Sequence, residues 1–298
     1  MDKNQLKLIH GTLSSKLLLN FILAPILAIV FIFVGQTAGY ALFLLMRLDL
    51  SGPTLSMMLF MALTCGMTIV MVFIWVHFIE RRSLSSLGLY RSYMLIHYIQ
   101  GFAIGFLMFL MVMCLLFVTR QMYIVPQPHF RVGILALPII LAMIPVWMIQ
   151  GASEEILTRG WLMNTLIARY NLPLGVILSS TLFGLLHLLN THVSYIAILN
   201  IVLIGVFFGL YALKTENLWG ACGAHSAWNW AQGNIFGLEV SGNTMNASLF
   251  QTKLIGPDLI TGGAFGPEGG FAVSIVIIIG ILIVYRLPWR QTAGKSID

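Results

Sequence analysis

Residues 132–159 read VGILALPIILAMIPVWMIQGASEEILTR, and this stretch decides the fold class. The run over residues 132–156 is long enough to cross about 30 Å of hydrocarbon as a helix. Two adjacent carboxylates, Glu154 and Glu155, lie near its end, and Arg159 follows. An ionised side chain costs at least ~2.5 kcal/mol at the centre of a membrane helix, and somewhat less toward its end. The stretch therefore predicts a membrane helix whose carboxylates have a function.

The composition of the whole chain agrees with a membrane protein. Of the 298 residues, 59% are apolar and 9% are charged, whereas about a quarter of the residues in a soluble domain are charged. A mean hydropathy of +0.93 also excludes a soluble domain with a single anchor. Seven further apolar runs can span a bilayer: residues 17–46, 55–78, 99–118, 174–189, 195–213, 218–235 and 271–285. We predict an all-α polytopic membrane helical bundle of about eight transmembrane helices. It forms a single domain over residues 1–298, with a motif-bearing core at about 132–235.

Counted along the chain, the seventh of the eight predicted spans differs from the others in its polarity. Residues 218–235 contain glycine, serine, asparagine, glutamine and histidine at several positions. A helix of this composition is too polar to face lipid. We expect the seventh span to be enclosed by the other helices.

The basic residues predict the orientation of the chain. With eight spans both termini lie on one side, and twelve of the sixteen basic residues fall on that side. The other side has four: Arg47, Arg120, Arg131 and Lys253. By the positive-inside rule both termini are expected to be cytoplasmic. Because the chain has no extra domains or retention signal, we expect a multi-pass protein of a prokaryotic plasma membrane. The scattered basic residues argue against a nucleic-acid partner.

Helical geometry separates the two adjacent glutamates. At roughly 100° per residue, Arg159 lies ~40° around the helix from Glu155 but ~140° from Glu154. Arg159 can therefore form an ion pair with Glu155 and leave Glu154 free to act as a base. The simpler alternative is a Glu-Arg pair that snorkels at the helix end, at the membrane interface.

Two other spans carry polar side chains at helical spacing. Phe183 precedes His187 by four residues, and His225 precedes Asn229 by four, so each pair shares one helix face. A single membrane histidine is about as often a packing element as a catalyst. Together with an unpaired glutamate, however, two histidines and an asparagine suit a hydrolase. The carboxylate would take a proton from water, and neutral donors would stabilise the oxyanion.

These residues make the sequence resemble the family of type II CAAX prenyl endopeptidases and bacteriocin-processing or self-immunity proteins, known as the CPBP or Abi family. The three family motifs occur in order: EExxxR at Glu154, Glu155 and Arg159, FxxxH at Phe183 and His187, and HxxxN at His225 and Asn229. Each motif is weak alone, but three in order in three separate spans are specific.

The resemblance implies an eight-helix intramembrane endopeptidase whose cavity opens toward the cytosol. Glu154 with His187 would activate the hydrolytic water, and His225 with Asn229 would hold the oxyanion. The substrate would be a membrane-associated peptide or protein.

The remaining motif residues have supporting roles in this scheme. Arg159 with Glu155 would brace the site, and Phe183 completes the second motif.

Three other readings of these residues stay open. The family has also been read as metalloproteases, with Glu154, His187 and His225 as ligands of a divalent metal such as zinc. We favour a metal-free site because His225 and Asn229 on one face suit a hydrogen-bonding clamp. A proton-coupled transporter would use Glu154 as the proton carrier. A noncatalytic membrane regulator or self-immunity protein would act by binding a partner.

Overall fold

A computed structural model describes residues 3–47, 53–126, 132–245 and 247–289 of the protein. The α-helices of this part of the chain are α1 (Lys7–Leu13), α2 (Leu23–Leu45), α3 (Pro53–Ile74), α4 (Met94–Val118), α5 (Leu137–Glu155), α6 (Asn164–Arg169), α7 (Leu172–Leu186), α8 (Tyr195–Thr215), α9 (Trp219–Trp230), α10 (Asp258–Thr261) and α11 (Phe271–Arg286). Two short strands, β1 (Met122–Ile124) and β2 (Thr252–Leu254), pair antiparallel. The predicted all-α polytopic bundle is confirmed.

Six helical stretches are long and apolar enough to cross a membrane: Leu23–Leu45, Thr54–Ile79, Met94–Val118, Ile134–Arg169, Leu172–Leu189 and Tyr195–Thr215. The eighth expected span, α11, is apolar but has only 16 residues. The seventh, α9, has 12 residues and continues as a π-helical turn, Ala231–Ile235. All eight expected spans are therefore helical, but the count of eight membrane crossings is not confirmed.

The fourth span extends beyond its expected end. Instead of stopping after Glu155, the helix continues as a π-helical segment, Ile156–Met163, and then as α6. The complete stretch, Ile134–Arg169, has 36 residues and is about 54 Å long at 1.5 Å per residue. The side chains of the added segment are buried, so packing holds the helix together past the apolar run. The expectation that the glutamates end the span is wrong, because they lie within a longer helix.

The α9 helix lies inside the bundle, as its polarity predicts. Ten consecutive residues of α9, Gly220 to Asn229, are buried. Helix α4 crosses it closely, because Gly101 and Gly105 lie against the carbonyl groups of Gly220 and Ala224. Small residues four apart allow this close approach of two membrane helices. The α4–α9 contact places His225 and Asn229 at the centre of the protein.

The two ends of the bundle contain different segments of the chain. At one end, called the terminus face, Lys3 Nζ donates to the carbonyl of Ala168 (2.7 Å) and Lys214 Nζ to that of Leu287 (2.6 Å). The described ends of the chain thus lie at the same face, as an even number of crossings requires.

The other end, called the loop face, holds β1, β2 and the long connection between α9 and α11. There Asn190 Nδ2 donates to the carbonyl of Ser241 (3.0 Å). Three residues of the charge count, Arg131, Arg290 and Lys295, lie outside the described residues.

Candidate active site

Glu155 and Arg159 form the ion pair that helical geometry predicts. Arg159 Nη1 donates to Glu155 Oε1 at 2.9 Å, and both side chains are fully buried. The same nitrogen also donates to Thr158 Oγ1 at 2.7 Å. A snorkelling pair would extend its charged groups into water, whereas both of these side chains are enclosed by protein, so the snorkelling alternative is wrong.

Glu154 points away from this pair, toward an open space. Its Oε1 accepts a hydrogen bond from Gln150 Nε2 (2.8 Å), and its side chain is 32% exposed. Glu155, the next residue, is completely buried. The two adjacent carboxylates therefore have different environments, one buried and paired, the other accessible.

The imidazole of His225 lies between the two glutamates. Its Nδ1 is 2.9 Å from Glu155 Oε1, and its Nε2 is 3.5 Å from Glu154 Oε2. The ring stacks on Phe208, with ring centroids 5.2 Å apart and planes 13° apart. A carboxylate at Nδ1 fixes the orientation of an imidazole and leaves Nε2 for chemistry. Here Nε2 is directed toward Glu154.

Asn229 is connected to Glu154 through Gln150. Asn229 Nδ2 donates to Gln150 Oε1 at 2.9 Å, while Gln150 Nε2 donates to Glu154. The sequence analysis did not single out Gln150. Its position one helical turn before Glu154, on the same face of α5, is the signal that could have identified it.

Phe183, the first residue of the second motif, contacts several other motif residues. Its carbonyl oxygen lies 2.8 Å from Nδ1 of His187, at the end of α7. Its ring packs edge-on against His187, with centroids 4.9 Å apart, and also contacts the ring of His225. The Arg159 guanidinium lies over the same ring, 4.3 Å from its centroid. One aromatic ring therefore contacts residues of all three motifs.

A cavity of about 720 Å³ brings the candidate catalytic residues together. Its wall includes Glu154, His187, His225 and Asn229. Most of the remaining lining residues are apolar, and α2, α3 and α8 contribute about half of these apolar residues. None of the described lining residues is lysine or arginine. The cavity can therefore hold a peptide with apolar side chains beside the four polar groups.

Glu268 is a second acidic residue of this cavity, and the sequence analysis did not single it out. It lies just before α11, and its Oε2 accepts hydrogen bonds from the backbone N–H (2.7 Å) and hydroxyl (2.9 Å) of Ser241. Burial raises the pKa of Glu268, while the Ser241 bonds and the nearby His187 act in the opposite direction. No sequence signal indicates this position, because a loop returning to the bundle has no helical periodicity.

The grouping of the candidate ligands bears on the metal alternative. Among the described residues, no three His, Cys, Asp or Glu side chains are grouped so that they could hold a metal ion. Glu154, His187 and His225, the ligands of the metal reading, do not form such a group.

Comparison with known proteins agrees with the three motifs. Residues 136–231, about a third of the chain, match the family model of Type II CAAX prenyl endopeptidase Rce1-like proteins. No curated protein and no solved structure gives a significant match. The matched segment begins in the turn before α5 and contains all three motifs, and at the family level it supports a CAAX-type intramembrane protease. The resemblance to this family is therefore confirmed over residues 136–231, the segment that contains the three motifs.

Proposed function

We propose that the protein is an intramembrane endopeptidase that cleaves a membrane-associated peptide or protein with water activated by Glu154. The observation that carries this proposal is the common cavity of Glu154, His187, His225 and Asn229. Three distant segments of the chain contribute these four side chains. A packing role would not require an accessible carboxylate beside two imidazoles.

Glu154 is the proposed general base. Its carboxylate is partly exposed in the cavity and is oriented by Gln150. It takes one proton from a water molecule while the water oxygen attacks the carbonyl carbon of the scissile peptide bond. His187 assists from the same cavity with Nε2, since its Nδ1 is held by the Phe183 carbonyl.

His225 and Asn229 are the proposed oxyanion donors. The attack places negative charge on the former carbonyl oxygen, and fixed N–H donors stabilise that charge best. Since His225 would donate at Nδ1 to Glu155 and at Nε2 to the oxyanion, the proposal gives it the protonated ring instead of the neutral donor expected from the sequence. The tetrahedral intermediate then collapses as the C–N bond breaks. The proton held by Glu154 passes to the leaving amine.

Glu155 and Arg159 are proposed to brace the site without touching the substrate. Glu155 holds His225, and Arg159 neutralises the buried charge of Glu155. Phe183 packs among them. The bilayer supplies the apolar surroundings, and no cofactor takes part in the proposed reaction. The proposed location is a prokaryotic plasma membrane with cytoplasmic termini.

The proton-transporter alternative lacks structural support. A transport pathway needs a polar route through both leaflets, but along this helix the described cavity lining ends at Thr158, and the residues from Arg159 to Ala168 are buried. The alternative of a noncatalytic binding protein gives no reason for an accessible base beside two histidines.

Comparison of membrane peptides tests the proposed function in cells. One strain would express the wild-type protein and a second the nearly isosteric Glu154→Gln variant at the same level. We expect peptides that are cleaved only in the wild-type strain. Identical peptide patterns in the two strains would contradict the proposal.

A further inference from the structure

We propose that Gln150 is a positioning residue: its side-chain amide relays the charge of Glu154 to Asn229 and so fixes Asn229 as a hydrogen-bond donor to the cavity. Gln150 belongs to none of the three motifs. Its role rests on the proposed endopeptidase function, whose two halves, water activation and oxyanion stabilisation, it connects.

Two hydrogen bonds place the Gln150 side chain between the base and the oxyanion donor. Its Nε2 donates to Glu154 Oε1 at 2.8 Å, and its Oε1 accepts from Asn229 Nδ2 at 2.9 Å. Glu154 lies one turn later on the same helix, α5, whereas Asn229 belongs to α9. All three side chains line the cavity. One amide therefore contacts two groups of the proposed reaction without taking either role itself.

The chemistry of the three groups fixes the direction of both hydrogen bonds. An ionised carboxylate can only accept, so Gln150 turns its NH₂ group toward Glu154. The carbonyl oxygen of Gln150 then faces Asn229 and requires a donor there. Asn229 consequently turns its own NH₂ group toward Gln150, and the second N–H of that nitrogen is left for the oxyanion. A reversed Asn229 would place its oxygen there and repel the negative charge.

The packing of α5 on α9 holds this arrangement in place. A Cβ atom at Gly151, next to Gln150, would lie 2.8 Å from the hydroxyl oxygen and 3.1 Å from the backbone nitrogen of Ser226. That hydroxyl donates to the carbonyl of Cys222 at 2.7 Å, so it has a fixed place on α9. Glycine at this crossing lets the two helices approach closely. Gln150 thereby reaches Asn229, which is only 5% exposed.

The two helices do not need Gln150 as a link. Trp147 Nε1 donates to Asn234 Oδ1 at 2.6 Å, in the π-helical turn that follows α9. On the other side of the relay, Nδ1 of His225 lies 2.9 Å from Glu155 Oε1. These contacts join α5 to the α9 segment both before and after Gln150. Loss of the Gln150 amide should therefore change stability little and catalysis strongly.

Kinetics of the Gln150→Met variant test the relay. Methionine has a similar length but lacks the amide. The purified variant would be assayed in lipid vesicles on a peptide that is cleaved only in the wild-type strain. We expect kcat to fall on the order of 10²-fold, as it does when catalytic groups are misplaced, with little change in KM or in the melting temperature. Gln36→Met, the same substitution in the α2 wall of the cavity, is the control and should retain kcat.

The relay also predicts that Gln150 and Asn229 act as one unit. The double variant Gln150→Met/Asn229→Leu should lose much less than the product of the two single losses in kcat. Gln150→Glu would replace a misfolded Gln150→Met; it cannot donate to Glu154, so its kcat should fall as well. A wild-type kcat, a loss confined to KM or to the melting temperature, or losses that multiply in the double variant would overturn the proposal.

Heteronuclear NMR of the side-chain amides tests the relay without turnover. The signals of Asn229 would be assigned by their loss in Asn229→Leu. We expect Glu154→Leu to shift these signals in the wild-type background but not when Gln150→Met is already present. Unmoved signals, or equal shifts in both backgrounds, would overturn the relay. A wild-type protein that cleaves nothing would contradict the proposed function alone, because the NMR result does not depend on cleavage.

Discussion

Nδ1 of His225 lies 2.9 Å from Oε1 of Glu155, and this contact joins the third motif to the first. The same oxygen accepts the hydrogen bond from Arg159. A carboxylate between two cationic or polarisable partners is stable in a buried position only while both remain. Helices α5 and α9 are therefore held together at the site by charge as well as by packing.

The first prediction concerns this buried pair. The Arg159→Ala change leaves Glu155 without its cationic partner, and Glu155→Gln does the same to Arg159. Breaking one side of a buried ion pair lowers the free energy of unfolding by about 3–5 kcal/mol. Thermal unfolding in detergent would measure the loss, and activity should fall with it. The partly exposed neighbour provides the control, since Glu154→Gln should unfold like the wild type. An unchanged melting temperature for Arg159→Ala would argue against the brace.

The second prediction concerns the oxyanion donors. Asn229→Leu keeps a similar side-chain volume but removes the amide that would contact the oxyanion. Loss of one such donor lowers kcat by about 10²–10³-fold, and KM should change little. Steady-state kinetics on a cleaved peptide would measure both constants. Asn243→Ala, an exposed lining residue on the connection between α9 and α11, is the control and should retain kcat. A rise in KM with normal kcat in Asn229→Leu would instead assign Asn229 to substrate binding.

The third prediction concerns the close crossing of α4 and α9. A Cβ atom at Gly105 would collide with the carbonyl group of Ala224, one residue before His225. Gly105→Ala should therefore push α9 outward, displace His225 and lower both stability and activity. Gly66→Ala in α3 is the matched control, because its added Cβ would meet only Ile149, at 4.0 Å. Yield after detergent extraction and melting temperature would compare the two variants. Equal yields and equal melting temperatures of the two variants would show that α4 and α9 are not tightly packed at Gly105.

The fourth prediction concerns pH. Burial raises the pKa of Glu268 above its ordinary value of 4.5, although hydrogen bonds from Ser241 and the charge of His187 oppose the shift. The folded protein thus holds this proton more tightly than the unfolded chain. The resulting stabilisation is complete below pH 4.5 and is lost as the pH rises through the raised pKa.

Glu268→Gln removes the titrating group, so it should flatten this loss of stability with rising pH. Melting temperatures in detergent at a series of pH values would record the slope. Glu239→Gln, in the same connection, should keep the wild-type slope. If Glu268→Gln also keeps that slope, the carboxyl group of Glu268 does not cause it.

The helices and the pairing of the residues in the first motif could be predicted from the sequence. Apolar runs predict the helices, because a segment that lies in lipid must satisfy its backbone N–H and C=O groups internally, and a helix does so. The 100° rotation per residue correctly paired Arg159 with Glu155 and separated Glu154. Polarity alone placed α9 inside the bundle. These features depend on local spacing or on composition, and both follow directly from the amino-acid sequence.

Features that depend on tertiary packing could not be predicted. The helix continues past Glu155 because the π-helical segment Ile156–Met163 is buried among neighbours, not because of its hydropathy. Glu268 joins the cavity through a loop that folds back onto Ser241. In each case the deciding contact joins residues far apart in the chain.

The most direct test of the account is the rate of peptide cleavage by the purified Glu154→Gln protein in lipid vesicles. The substrate would be a peptide that cells cleave only when they contain the wild-type protein. Loss of a general base lowers the rate by about 10²–10⁴-fold, and we expect this loss with an unchanged melting temperature. Cleavage by Glu154→Gln at the wild-type rate would contradict the central claim that Glu154 activates the water.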